Sequence, residues 1–191
     1  PMFFELLLQL LVGNIDQIMV SHYSQGSVAA IGNGNQIMNI IILVLSSMTV
    51  ATTVLISRYF GAGDPEKAKS VSNASIYSLS FFSIVVTLLI YGFQRPLFQW
   101  LQVPNDILDE TCSYTVIVST CILIQAIYMV FASILRSHKL MKYVTFVAII
   151  MNTLNILGNA ILINGLFGFP RLGIIGAAIS TNIVSLLVLL L

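Results

Sequence analysis

Asp16 is the residue in this chain whose surroundings most clearly suggest chemistry. It lies in a largely apolar stretch, residues 3–20, whose only other charged residue is Glu5. An acid inside a membrane span indicates a functional site by default. A desolvated carboxylate tends to be neutral, whereas a bound cation or a nearby donor favours its charged form. Asp16 is therefore predicted to exchange a proton or a metal ion, the alternative being a structural acid held by hydrogen bonds.

Two more polar residues share the helix face of Asp16. At 100° per residue, Gln9 lies about 40° and Asp16 about 20° around the helix from Glu5. This stripe should face protein or a cavity, because hydrocarbon offers these side chains no partner. Glu5 either belongs to the same site or reaches interfacial water near the end of the span.

Asparagines form a second stripe, towards the end of the chain. Asn152, Asn155 and Asn159 fall within about 60° of one another on a helical wheel. They either line a site or simply bond neighbouring helices, at about 0.6 kcal/mol each. Other polar residues of the apolar segments either line the same cavity or pack between helices. These are Gln36, Asn39, Ser46, Thr49, Thr53, Ser180, Thr181 and Asn182.

Composition indicates a membrane protein with several spans. Hydrophobic residues make up 58% of the chain and charged residues 8%, with a mean hydropathy of +0.98. A soluble domain carries about 25% charged residues. The net charge of +1 and the absence of a basic patch exclude nucleic acid as a partner.

The apolar runs predict an all-α membrane protein in which six transmembrane helices form one bundle. Each run is long enough to cross about 30 Å of hydrocarbon. The predicted helices are about 1–20, 28–57, 71–95, 107–135, 143–164 and 173–191, within a single domain of residues 1–191. The run 28–57 is too long for a perpendicular span, so it bends at Gly32 and Gly34, tilts or protrudes. Because both ends fall inside apolar segments, we interpret the chain as a fragment.

Charges in the connections predict orientation and helix starts. Six of the eight lysines and arginines fall around two connections, 58–69 and 136–142, which the positive-inside rule places in the cytoplasm. Asp64 before Pro65 is a candidate N-cap. Asp106, with Asp109 three residues later, is a second.

The chain resembles the N-terminal half of the multidrug and toxic compound extrusion (MATE) transporters. The matching segments occur in order along the whole sequence. They are Pro1, Val12–Val20, Ala29–Gly32, Gly61–Asp64 with Ala68, Leu135–Ser137, Asn155–Asn159 and Leu172–Ala178.

This resemblance implies a twelve-helix protein of the cytoplasmic membrane, made of two six-helix bundles with alternating access between them. Such a protein exports organic cations or amphipathic drugs in exchange for sodium or protons, and needs no cofactor beyond the coupling ion. Its partners are this ion, the drug, membrane lipid and the C-terminal half. Asp16 matches the first-helix acid of the family, and Gln9 and Pro1 match a polar residue and a bend-forming proline. Asn155, Asn159 and Thr181 match polar positions near the cation site.

The sequence departs from the family pattern at two places. Some members carry an acid where this chain has Asn159, so one titratable group fewer leaves the choice between sodium and proton open. Many members have a proline where this chain has Lys142 and Tyr143, so local bending can differ there.

Two other functions fit these residues less well than antiport. A lipid-linked saccharide flippase of the same superfamily should carry more cationic residues towards its cavity than these spans contain. An intramembrane protease needs paired aspartates or a serine and histidine. Asp16 is the only aspartate well inside a predicted span, so the sequence predicts a transporter rather than an enzyme.

Overall fold

The computed structural model describes residues 25–164 and 172–189, and all regular structure within these ranges is helical. The helices are α1 (Gln25–Gly61), α2 (Pro65–Trp100), α3 (Asn105–Ser119), α4 (Ile122–Ser137), α5 (Met141–Asn164) and α6 (Gly173–Leu189). The predicted all-α fold class is confirmed. The predicted helix 1–20, with Glu5, Gln9 and Asp16, lies outside the described residues.

Helix α1 runs unbroken for 37 residues, roughly 55 Å at 1.5 Å per residue. Neither Gly32 nor Gly34 interrupts it. Gly34 instead lets α3 approach, because a Cβ at this position would lie 2.7 Å from Cδ1 of Tyr114. The Tyr114 hydroxyl also donates to Asn35 Oδ1 at 2.9 Å.

Helix α2 begins with the predicted cap. The Asp64 carboxylate accepts a hydrogen bond from the Lys67 backbone N–H at 3.1 Å, and Pro65 occupies the first turn. Gly63 adopts φ +73°, which turns the chain between α1 and α2. Hydrogen bonding to Lys67 lowers the pKa of the Asp64 carboxyl. The second predicted cap was wrong: α3 begins at Asn105 without a side-chain cap, and Asp109 instead pairs with Arg95 at 2.7 Å.

The two basic connections lie at the same end of the bundle. The rings of Phe60 and His138 are 4.4 Å apart, and Ser137 Oγ donates to the Thr53 carbonyl at 3.3 Å. The Arg95–Asp109 pair lies at the other end of the bundle, where it joins the C-terminal end of α2 to the N-terminal end of α3. This separation agrees with the charge pattern expected of a membrane bundle, although the assignment of the basic end to the cytoplasm stays a prediction.

The predicted single helix 107–135 is divided in two, which corrects the sequence interpretation. Helices α3 and α4 meet at a bend of 43° around residues 120–121, and together they can form one broken span. Among the described residues, α1, α2 and α5 are each long and apolar enough to cross a membrane, and α6 is a shorter apolar helix. Large apolar side chains such as Tyr77, Phe81 and Phe146 cover the outside of the bundle, where lipid would contact them.

Helices α5 and α6 approach closely where Gly176 faces the backbone of Leu162. The Leu162 carbonyl accepts from the Leu172 N–H at 3.1 Å, which ties the end of α5 to the start of α6. A Cβ on Gly176 would lie only 2.7 Å from the same carbonyl oxygen. A glycine at this position therefore permits backbone contact between the two helices.

Gly176→Ala is expected to destabilise the bundle by about 1–3 kcal/mol, because a backbone carbonyl cannot rotate away from the added methyl group. Gly92→Ala is the matched control, since a Cβ there meets no atom within 4 Å. The control should stabilise α2 by about 0.5–1 kcal/mol, the ordinary helix preference for alanine. Thermal unfolding in detergent would measure both variants, and equal melting temperatures would contradict the close-packing argument.

Candidate functional site

Three of the residues predicted to hold an ion lie together between α5 and α6. Asn159 Nδ2 donates to Asn155 Oδ1 at 3.2 Å. Asn155 Nδ2 in turn donates to Thr181 Oγ1 at 3.2 Å, and Thr181 Oγ1 donates to the Ala177 carbonyl at 3.0 Å. The result is a continuous chain of hydrogen bonds across the two helices, which we call the amide chain: Asn159, Asn155 and Thr181.

Local sequence explains how this chain forms. Asn155 and Asn159 are four residues apart, so their side chains are neighbours on one face of α5. Gly158 lies against α6, because a Cβ there would collide with the Ser180 hydroxyl. Ser180 Oγ also donates to the Asn155 carbonyl at 3.4 Å. Asn159 is only 1% exposed, so the amide groups face a neighbouring helix rather than lipid.

The other predicted site residues do not join the amide chain. Asn152 is half-buried on the same helix, and its side chain makes no hydrogen bond to the part of the chain that the structure describes. Gln36 and Asn39 lie exposed on α1. Gln9, Glu5 and Asp16 belong to residues 1–24, so their position relative to the amide chain stays a prediction.

A cavity of about 190 Å³ opens beside the amide chain. It lies between α1, the α3–α4 break, α5 and α6. Most of its lining is apolar, and its polar members are Gln125 of α4 with Thr181, Asn182 and Ser185 of α6. Thr181 thus belongs both to the amide chain and to the cavity wall.

Two residues donate hydrogen bonds at the α3–α4 break, a feature that the sequence did not predict: Thr87, and Asn182, which was expected only to line a cavity or pack between helices. Asn182 Nδ2 donates to the Ile117 carbonyl at 2.6 Å and to Thr120 Oγ1 at 3.0 Å. From the other side, Thr87 Oγ1 of α2 donates to the Ser119 carbonyl at 3.2 Å. The polar pair Ser119-Thr120 inside an apolar run was the available signal for this feature.

The amide chain offers neutral oxygen atoms. Amide and hydroxyl oxygens suit hard cations such as sodium in type. Each side-chain carbonyl has two lone pairs, so Asn155 Oδ1 can accept from Asn159 and still contact an ion. Among residues 25–164 and 172–189, no group of three His, Cys, Asp or Glu side chains could hold a metal ion. A compensating negative charge would have to come from elsewhere, and Asp16 is the predicted source.

Comparison with known proteins independently supports the resemblance found in the sequence. The MatE family model matches residues 1–161. The chain is 39% identical to the uncharacterized transporter YisQ of Bacillus subtilis over 183 residues, which cover 96% of this chain and 40% of YisQ. It is 28% identical to the probable multidrug resistance protein NorM of Thermotoga maritima over 186 residues, 95% of this chain and 39% of NorM.

A solved structure shows the same fold. The crystal structure of MATE in complex with MaD3S aligns with a TM-score of 0.91 and 25% identity, over 100% of this chain and 42% of that one. The chain therefore spans about two fifths of the length of the proteins it matches.

Proposed function

This chain belongs to the MatE family, and from that premise we propose that the whole protein is an antiporter that exports organic cations or amphipathic drugs across the cytoplasmic membrane. Inward movement of sodium or protons drives the export. The names of the relatives, a transporter and a multidrug resistance protein, support transport rather than enzymatic catalysis. The multi-pass helical architecture agrees with this function.

The observation that carries the proposal is the amide chain beside the cavity. Asn155 and Thr181 supply oxygen atoms at the boundary between α5 and α6, and Thr181 also lines the cavity. Asp16 supplies the charge that these neutral groups lack. When Asp16 is ionised, it holds the bundle in the state that accepts drug. A sodium ion or proton that enters from outside neutralises it and shifts the bundle to the state that releases drug.

Rearrangement of the amide chain costs little free energy. Each neutral hydrogen bond contributes only about 0.5–1.5 kcal/mol net. An ion that takes a lone pair of Asn155 Oδ1 and Thr181 Oγ1 can therefore alter these bonds at a cost that its own binding offsets. The same groups can serve a proton relay, so the proposal covers both sodium and protons as the coupling ion.

The second six-helix half is the remaining partner that transport requires. Alternating access needs two bundles that move against each other around a central site. The chain covers about 40% of its relatives, which leaves room for such a half. A lipid-linked saccharide flippase is not favoured, because none of the described residues that line the cavity is a lysine or arginine, and a pyrophosphate group would require such residues.

Efflux of a fluorescent organic cation from cells that express the full-length parent tests the proposal. A sodium gradient and a proton gradient are imposed separately. We expect export under one gradient and loss of export when an ionophore collapses it. Export that is absent under both gradients, at normal membrane expression, would contradict the proposed substrate class and the antiport mechanism.

A further inference from the structure

The bend between α3 and α4 leaves backbone groups without their regular helical partners. Cys121 N–H donates to the Val118 carbonyl, three residues back, at 3.2 Å. In a continuous α-helix it would donate to the Ile117 carbonyl, four residues back. Inside a membrane an unsatisfied carbonyl costs several kcal/mol, so a break persists only where neighbouring groups supply hydrogen bonds.

Thr120 supplies part of these bonds from within the bend, since its hydroxyl and its N–H donate to the Ile117 carbonyl at 2.6 and 3.3 Å. Side chains from two other helices add to them. Asn182 of α6 donates to the Ile117 carbonyl at 2.6 Å, the shorter of its two hydrogen bonds. Thr87 of α2 donates to the Ser119 carbonyl at 3.2 Å. Because a carbonyl only accepts, the amide nitrogen of Asn182 must face Ile117, which fixes the orientation of this side chain. The bend is thus held partly from outside its own span, by α2 and α6.

Asn182 directly follows Thr181, the last side chain of the amide chain. Consecutive residues on a helix point about 100° apart, so they reach different neighbours. Thr181 bonds to Asn155 of α5, whereas Asn182 bonds to Ile117 of α3. A helix turn is stiff, and a shift of α6 that changes one of these bonds must therefore disturb the other.

We propose that Asn182 is a positioning residue that couples ion occupancy at Asn155 and Thr181 to the bend between α3 and α4. When the ion draws Thr181 towards α5, Asn182 is withdrawn from the Ile117 carbonyl. Cys121 N–H then bonds to that carbonyl and the span straightens. The cavity wall formed by Cys121 and Gln125 moves with it. The proposal rests on the proposed function, because it assumes that an ion binds at the amide chain.

Cys121 provides a direct probe of the bend, because it lies at the break and lines the cavity. In a variant of the full-length parent, every cysteine other than Cys121, including Cys112, is replaced. This variant is reacted with N-ethylmaleimide in membranes, with and without the coupling ion. We expect the ion to change the labelling rate about fivefold or more, the range typical of coupling between two sites. Asn182→Ala and Asn182→Leu should remove this ion dependence, and the leucine variant keeps an apolar side chain of similar size in case alanine prevents insertion.

Two variants serve as matched controls. Ser185 lines the same cavity on the same helix, but its hydroxyl donates to the Thr181 carbonyl of its own helix at 2.8 Å. Ser185→Ala should keep the ion dependence. Thr87→Val removes the hydrogen bond that α2 donates to the bend, without altering α6. This variant should change the labelling rate both with and without the ion, while the ratio of the two rates stays the same.

Each outcome is decisive. Ion-dependent labelling that persists in both Asn182 variants would overturn the proposal, because Asn182 would then only pack. If the labelling rate of the parent is the same with and without the ion, in membranes that still show ion-driven efflux, the coupling proposal is overturned and the proposed function stays intact. Absence of efflux under both gradients would overturn the proposed function, and the coupling with it.

Discussion

Asp16→Asn is expected to reduce gradient-driven efflux by the full-length parent to the level of cells that lack the transporter. Asparagine keeps the size of the aspartate side chain but cannot lose a proton or carry a negative charge. Asp16 is the only aspartate well inside a predicted span, and the amide chain supplies only neutral oxygens. The variant would therefore leave the proposed ion site without the charge that drives the switch.

Efflux of the fluorescent cation, measured at matched membrane expression, provides the readout. Asp106→Asn is the control, because it makes the same chemical change at an exposed position on the first turn of α3. This control should export normally. Equal export by the parent and Asp16→Asn would show that Asp16 is a structural acid and that the proposed switch is wrong.

The long apolar helices were predictable from the sequence, but their ends were less so. The predicted span 71–95 corresponds to α2, which the structure extends to Pro65–Trp100. A span predicted from hydropathy excludes charged residues such as Glu66 and Lys67, because they lower the mean hydropathy. A helix nevertheless continues through them, since capping by Asp64 and water at the membrane surface satisfy its first turn. Apolar runs thus locate the membrane-buried part of a helix rather than its full length.

The bend at residues 120–121 could not be read from the apolar pattern. Residues 107–135 are apolar enough for one span, and nothing in the run itself breaks a helix as proline would. The partners that stabilise the bend are remote in sequence: Asn182 lies 65 residues from Ile117, and Thr87 lies 32 residues from Ser119. Helix periodicity cannot reveal which distant side chain donates to which carbonyl.

Only part of the candidate site was predicted, because periodicity describes one helix and not the contacts between helices. Periodicity alone placed Asn155 and Asn159 on one face of a helix, and the structure joins them. The same periodicity included Asn152, which stays outside the amide chain. That Thr181 meets Asn155 depends on how α6 packs against α5, and only the family resemblance assigned Thr181 to the cation site. Contacts between helices depend on small residues such as Gly158, and the partner of such a residue is known only once the helices are packed.

Asn155→Leu should weaken binding of the coupling ion more than any other substitution on α5. Asn155 connects Asn159 to Thr181, so its loss removes both side-chain hydrogen bonds that join these residues. It also removes a proposed oxygen ligand, and a hydrogen bond or contact to a charged group contributes about 1.5–3 kcal/mol. The concentration of sodium or protons that gives half-maximal efflux should therefore rise about tenfold or more.

Asn152→Leu isolates this effect from a general loss of polarity on α5. Asn152 lies one turn earlier on the same stripe and is half-buried, so both variants replace an asparagine of this helix by the same apolar side chain. Half-maximal ion concentrations are compared in vesicles with equal transporter content. A shift for Asn155→Leu but not for Asn152→Leu assigns ion binding to the amide chain. Equal shifts would mean that asparagines on this face act through helix packing, because a variant outside the amide chain would then do the same damage.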